Sequence, residues 1–183
     1  EIWKYLEGTK QEANKINKIF LNNKIKTKEF TGLLASEENL KSLDGKNSPN
    51  ILHIATHGFF YPDPKEIKDQ EEEKSEIGDV AFRGGSSGLG LEMLVKNTNP
   101  LMRSGLAFAR ANDVWTKTTT DGEDGVLTAY EVSNMNLQNT QLLVMSACET
   151  GLGDIKGSEG VYGLQRAFKM AGVKFLIMSL WQG

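Results

Sequence analysis

The chain has 183 residues, of which 39% are hydrophobic and 25% are charged, and this composition is typical of a single domain with a sizeable core. Its net charge of −3 and the lack of a Lys/Arg-rich block argue against a nucleic-acid-binding protein, and no apolar run approaches the ~18 residues of a membrane span. One cysteine cannot form an internal disulfide, so we expect a cytoplasmic protein from a reducing compartment.

The first part of the chain predicts a helix, a strand and a second helix. Apolar residues recur at helical spacing over residues 9–22, with Thr9 as the expected cap. Residues 24–31 alternate in polarity and predict a half-exposed or edge strand. Ser36 precedes acidic residues and predicts the start of a short helix over residues 36–43.

Two apolar runs, at residues 50–57 and 141–148, predict buried strands. The first run ends in His57-Gly58, and the second ends in Cys148 before a glycine-rich turn. Because parallel strands of an α/β sheet present their carboxyl ends at one edge, we expect His57 and Cys148 to meet there.

The rest of the chain contains one long loop and several regular elements. An acidic loop insertion covers residues 61–90, and its first 20 residues include eight acidic side chains against three lysines. We interpret it as a solvated segment, with an acidic surface for a basic partner as the alternative. The other predicted elements are a short strand or turn at 91–95, a strand at 104–109, a polar loop at 112–125, a helix at 127–132 capped by Thr128, a helix at 158–172 and a strand at 174–180. This order predicts an α/β fold, a three-layer α/β/α sandwich with a mostly parallel sheet.

The single thiol is the candidate nucleophile. A lone cysteine in an apolar run is ordinarily a small core residue, but the position of Cys148 at the end of a strand favours chemistry. A reactive thiolate needs a base within hydrogen-bond reach, and the chain has two histidines, His53 and His57. On a strand they lie roughly 13 Å apart, too far to bind one metal, so we expect neither a metal nor another cofactor. We interpret His53 as a core histidine and His57 as the base, and the backbone amides of Gly58 and Cys148 could form an oxyanion hole.

Several segments of the chain carry a family resemblance. They are His57-Gly58, Ser146-Ala-Cys148-Glu-Thr-Gly151, Gly160-Val-Tyr-Gly-Leu-Gln-Arg-Ala-Phe168 and Ile177-Met-Ser-Leu-Trp181. Together with residues 5–13 and 99–106, they resemble the CHAT domain, a bacterial branch of the caspase, separase and gingipain clan of cysteine peptidases. The resemblance extends over nearly all of residues 1–183 and implies a single caspase-like domain.

The resemblance also implies an activity and its residues. His57 and Cys148 would form a catalytic dyad without an obligatory third member, and Ser146, two residues before the cysteine, would line the substrate pocket. We assign Glu149 to the same pocket. The implied function is a cysteine endopeptidase that cleaves a partner protein in bacterial stress, defence or cell-death signalling. The alternative is a catalytically silent interaction module with the same fold.

The resemblance further suggests what surrounds the domain. Members of the family are often fused to tetratricopeptide repeats, and a partner switches on their proteolysis. Family members usually continue past the strand that contains Ser-Leu-Trp, whereas this chain ends at Gly183 and begins without a methionine. We therefore expect a fragment of a longer protein that holds the dyad but lacks part of the substrate groove.

Overall fold

A computed structural model gives the structure of the chain. It describes residues 3–61, 97–114, 123–149 and 159–178, with the main chain alone for residues 114, 148–149 and 159–161. Two predictions lie outside these residues, namely most of the acidic loop insertion at 61–90 and the short strand or turn at 91–95. Within the described ranges, no helix is both long and apolar enough to cross a membrane.

Five strands form one sheet in the described part of the chain. The strands are β1 Ile51–Phe60, β2 Ser104–Ala107, β3 Val126–Thr128, β4 Leu142–Glu149 and β5 Phe175–Met178. They are ordered β3-β2-β1-β4-β5. The pairs β1–β4 and β4–β5 are parallel, whereas β1–β2 and β2–β3 are antiparallel. The predicted mostly parallel sheet is therefore confirmed in part: two of the four strand pairs are parallel, and among these five strands β2 alone runs opposite to β1.

The helices cover both faces of the sheet. They are α1 Glu7–Asn22, α2 Glu37–Lys41, α3 Ala111–Val114, α4 Ala129–Ser133 and α5 Glu159–Met170. Helix α1 packs on one face of β1, and α4 and α5 pack together beside the other face. The α/β class and the three layers are thus confirmed.

The main core lies between the sheet and α5. The helix contributes Leu164, Ala167, Phe168 and the following Ala171, spaced three and four residues apart as for one face of a helix. The sheet contributes alternate strand residues such as Leu143, which is fully buried. Removing apolar surface from water stabilises the folded state by about 25 cal/mol per Å². This core is therefore the main source of the domain's stability.

The two strands that carry the candidate residues extend past them, since β1 is longer than predicted and β4 has the predicted length but lies one residue further along the chain. Strand β1 continues past His57 because Phe59 and Phe60 pair with β2 and are buried, with 5% and 7% of their surface exposed. Strand β4 likewise includes Glu149. The expectation that both strands end at the reactive residues is therefore wrong. His57 and Cys148 lie inside the last part of their strands.

The N-terminal predictions need two further corrections. Helix α1 begins at Glu7, and Thr9 is not its cap, because the Thr9 hydroxyl donates to the Leu6 carbonyl at 2.7 Å. Residues 24–31 form no strand, because no strand of the described sheet lies beside them and Asn17 on α1 hydrogen-bonds the side chains of Thr27 and Glu29. This segment is held against α1 by side chains.

Two predicted helix caps are confirmed. Ser36 accepts a hydrogen bond from the Asn39 amide at 3.3 Å, and Thr128 forms a reciprocal capping box with Glu131. Two short elements near them were missed. Residues 126–128 form β3 before that cap, and the predicted loop at 112–125 overlaps α3, which already begins at residue 111. Both elements are too short to leave a periodic pattern in the sequence.

Candidate active site

The register of the sheet brings the two candidate catalytic residues together. Strands β1 and β4 are parallel neighbours, and His57 is paired directly with Cys148. Neighbouring strands lie about 4.8 Å apart, and paired positions of parallel neighbours lie on the same face of the sheet. The backbone thus places an imidazole-bearing and a thiol-bearing residue side by side, although they are far apart in the sequence.

The His57 ring is held by the N-terminal segment. It is buried, with 8% of its surface exposed, and its Nε2 atom lies 2.5 Å from the Lys4 carbonyl oxygen. Because a carbonyl only accepts, we assign the hydrogen to Nε2. In the neutral ring, Nδ1 is then the nitrogen with a lone pair, which is the form that a general base requires.

A small aromatic cluster surrounds this histidine. The Trp3 and His57 ring centroids are 5.5 Å apart, and Trp3 also lies 6.0 Å from Phe59 with the two planes tilted by 44°. Tyr61 extends the cluster at 5.7 Å from Phe59, and burial raises the pKa of the Tyr61 hydroxyl above its ordinary value. Tilted rings at these separations contact each other favourably, so the cluster fixes Trp3 beside the imidazole.

The N-terminal contacts to His57 were missed by sequence reasoning. Trp3 and Lys4 precede the first helix, where no periodic pattern marks them. The available signal was a bulky apolar residue, Trp3, outside any predicted element, which is unusual unless it packs elsewhere.

The structure also locates the other predicted site residues. Gly58 lies within β1, where it is paired with Leu106 of β2 and Glu149 of β4. Ser146 is partly exposed, is paired with Ala55, and lies two positions before the cysteine on the same face of β4. Gly58, Ser146 and Glu149 are therefore all close to the His57–Cys148 pair in the sheet. Their roles in binding an oxyanion or a substrate remain predictions.

His53 belongs to a different environment from the one that we predicted. Its Nε2 atom lies 3.0 Å from Glu12 Oε1 on α1, and 18% of its side chain is exposed. His53 is therefore not a residue of the apolar core. It contacts the helix that covers this face of the sheet, four residues before His57 on the same strand.

A second group of ionisable residues surrounds Lys41 of α2. Its ammonium lies 2.8 Å from carboxylate oxygens of Glu37 and Glu123 and 2.9 Å from Glu131. Burial alone would lower the pKa of Lys41, but hydrogen bonds to the three carboxylates outweigh it and raise that pKa. The carboxylate oxygens lie within 4.8 Å of one another, a spacing that could hold a metal, but the chain supplies its own cation there.

Glu37 is the most deeply buried of these carboxylates. It is 1% exposed, and its Oε2 atom accepts from the Gly125 amide at 2.8 Å. Burial raises its pKa from 4.5 to about 7, although Lys41 acts in the opposite direction. The Glu37 carboxylate links α2 to the residues before β3, and it has no contact with His57 in the described part of the chain.

The comparison with known families agrees with this arrangement. The family model of the CHAT domain matches residues 2–182. No curated protein and no solved structure matches the chain. The CHAT family is related to the caspase-like cysteine peptidases, and the mixed sheet described above is consistent with that fold. Because the match extends over nearly every residue, the chain belongs to the CHAT domain family.

Proposed function

We propose that this domain is a cysteine endopeptidase with His57 as its base and Cys148 as its nucleophile. The observation that carries the proposal is their direct pairing across two parallel strands. The contact between His57 Nε2 and the Lys4 carbonyl supports it, because it favours the tautomer with its hydrogen on Nε2 and its lone pair on Nδ1. The match to the CHAT family supports the same class of chemistry.

The proposed reaction is acyl transfer in two steps. His57 takes the thiol proton, and the Cys148 thiolate attacks the carbonyl carbon of a peptide bond. The protonated imidazole then gives that proton to the departing amine, so that the C–N bond breaks and a thioester remains. A water molecule, deprotonated by the same imidazole, hydrolyses the thioester and restores the thiol.

Neighbouring groups would stabilise the intermediate and bind the substrate. We assign the oxyanion to the backbone amides of Gly58 and Cys148, since glycine lets a carbonyl approach closely. We assign Ser146 and Glu149 to the pocket for the residue before the cleaved bond. In keeping with the family resemblance, we propose a protein substrate, a cytoplasmic location in a bacterium, and activation by a partner or by attached tetratricopeptide repeats.

A peptide library tests the activity without knowledge of the natural substrate. The protein and its Cys148→Ala variant are incubated with proteome-derived peptides, and new amino termini are counted by mass spectrometry. The parent should generate termini that the variant does not. Equal yields from both proteins would sink the mechanism.

A catalytically silent interaction module is the second candidate, and one observation favours it. His57 is covered by Trp3 and Lys4 and is only 8% exposed, which limits access to the imidazole. A peptidyl electrophile that targets thiols separates the two candidates. Labelling of Cys148 that is lost in a His57→Gln variant favours the peptidase, and a Cys148 that never reacts favours the silent module.

A further inference from the structure

The side chain of Asn112 binds both main-chain groups of Trp3. The Trp3 amide donates to Asn112 Oδ1 at 2.9 Å, and Asn112 Nδ2 donates to the Trp3 carbonyl at 2.8 Å. One amide side chain thus imitates a neighbouring strand and ties the N-terminal segment to α3, which is remote in sequence. We call this pair of hydrogen bonds the Asn112 clamp.

The Asn112 clamp lies one residue from the contact that orients the candidate base. Lys4 follows Trp3, and its carbonyl oxygen contacts His57 Nε2 at 2.5 Å. Trp3 itself packs on His57 and Phe59. If the main chain of Trp3 shifts, the Lys4 carbonyl shifts with it, because the Trp3 carbonyl and the Lys4 nitrogen share one rigid peptide plane and only the φ and ψ rotations of Lys4 separate that plane from the Lys4 carbonyl.

Main-chain hydrogen bonds anchor the segment that carries Asn112. The Ala111 amide donates to the Phe108 carbonyl at 3.1 Å, and the Phe108 amide donates to the Gly125 carbonyl at 2.7 Å. Ala111 is buried in the same cluster as Trp3, with 1% of its surface exposed. Asn112 therefore projects from α3, which main-chain hydrogen bonds hold close to the end of β2, and β2 is itself paired with β1 at His57.

We propose that Asn112 is a positioning residue for His57. By holding both main-chain groups of Trp3, it keeps the Lys4 carbonyl on Nε2 and so fixes the tautomer and the plane of the imidazole. The inference deepens the proposed function and rests on it for its catalytic consequence. The effect on the histidine itself follows from the hydrogen bonds alone.

Nitrogen-15 NMR of the His57 imidazole is the deciding measurement, since it reports the tautomer whether or not the protein cleaves peptides. The parent should show hydrogen on Nε2 at pH 8. In Asn112→Ala the signals should move towards a mixture of both tautomers. Asn112→Asp is nearly isosteric and keeps the acceptor for the Trp3 amide but loses the donor to its carbonyl, so it should show an intermediate shift even if the alanine variant folds poorly.

The second readout is the rate of Cys148 alkylation by iodoacetamide at pH 7. An ordinary thiol with pKa about 8.5 is ~3% ionised at that pH, so loss of an oriented base can lower the rate by up to about 30-fold. We expect Asn112→Ala to lower it about 10-fold or more. The control is Asn134→Ala, which removes an exposed asparagine whose side chain donates to the Tyr130 carbonyl on α4, and it should leave both readouts unchanged.

The outcomes separate this inference from the proposed function. An Asn112→Ala or Asn112→Asp protein with the parent's imidazole spectrum overturns the positioning role. A changed imidazole spectrum in both variants supports the positioning role. If the parent thiol is at the same time no more reactive than an ordinary one, the positioning role stands and the proposed peptidase activity is rejected.

Discussion

Replacing Glu37 by glutamine should change how stability depends on pH. Glu37 is 1% exposed, and burial raises its pKa to about 7 in the folded chain, against an ordinary 4.5. The folded state therefore holds this proton more tightly than the unfolded state. The corresponding stability is fully present below about pH 4.5 and is lost as the pH rises through about 7.

The size of the effect follows from the same shift. One pKa unit corresponds to 1.36 kcal/mol, so moving from 4.5 to about 7 corresponds to about 3 kcal/mol of stability between pH 4 and pH 8. In Glu37→Gln the amide oxygen still accepts from the Gly125 amide, while the buried charge is absent. The parent should therefore lose about 3 kcal/mol relative to this variant over that range.

Urea unfolding at several pH values measures this difference, because all other titrating groups are common to both proteins. Glu38→Gln is a matched control, since Glu38 lies next to Glu37 but is exposed. Parallel stability curves for the parent and Glu37→Gln would refute the burial argument. A parent that gains stability relative to the variant as the pH rises would show that the ion pair with Lys41 dominates instead.

Three substitutions test the packing and the capping. An added Cβ at Gly105 would lie 2.3 Å from the Leu127 carbonyl oxygen and 2.6 Å from the Phe59 ring, so Gly105→Ala should destabilise the protein by at least about 2 kcal/mol in urea unfolding. Gly8→Ala is its control, since nothing lies within 4 Å of a Cβ added there, and this substitution should be neutral or slightly stabilising. An equal loss of stability in both variants would contradict the clash at Gly105. Thr128→Ala removes a capping box and should cost about 1 kcal/mol, whereas Thr128→Ser should retain most of it, and equal stability of the two variants would argue against the cap.

The sequence predicted the elements with strong local patterns. The apolar runs of β1 and β4, the helix at 158–172 and the caps at Ser36 and Thr128 are all determined by neighbouring residues, and the structure has them close to the predicted bounds. The pairing of two such strands also followed from the parallel arrangement, which is why His57 and Cys148 were expected together.

The missed features depend on contacts between distant residues. The segment at 24–31 has the alternation of a strand, but a strand needs a partner, and side chains on α1 hold this segment instead. Likewise, nothing near Trp3 or Lys4 indicates that they contact a histidine about fifty residues later. Asn112 lies in a segment whose composition predicts a loop. Its two hydrogen bonds to Trp3 join distant parts of the chain, so they can be recognised only in the folded structure.

The most direct test of the central claim is the pH profile of Cys148 alkylation. The chain has one cysteine, so iodoacetamide reports on this thiol alone. An ordinary thiol reaches half its maximal rate near pH 8.5, and an adjacent imidazolium shifts that midpoint to lower pH. We predict a midpoint clearly below 8.5 for the parent and a return to about 8.5 in His57→Gln. Coincident profiles with midpoints near 8.5 in both proteins would contradict the proposed dyad.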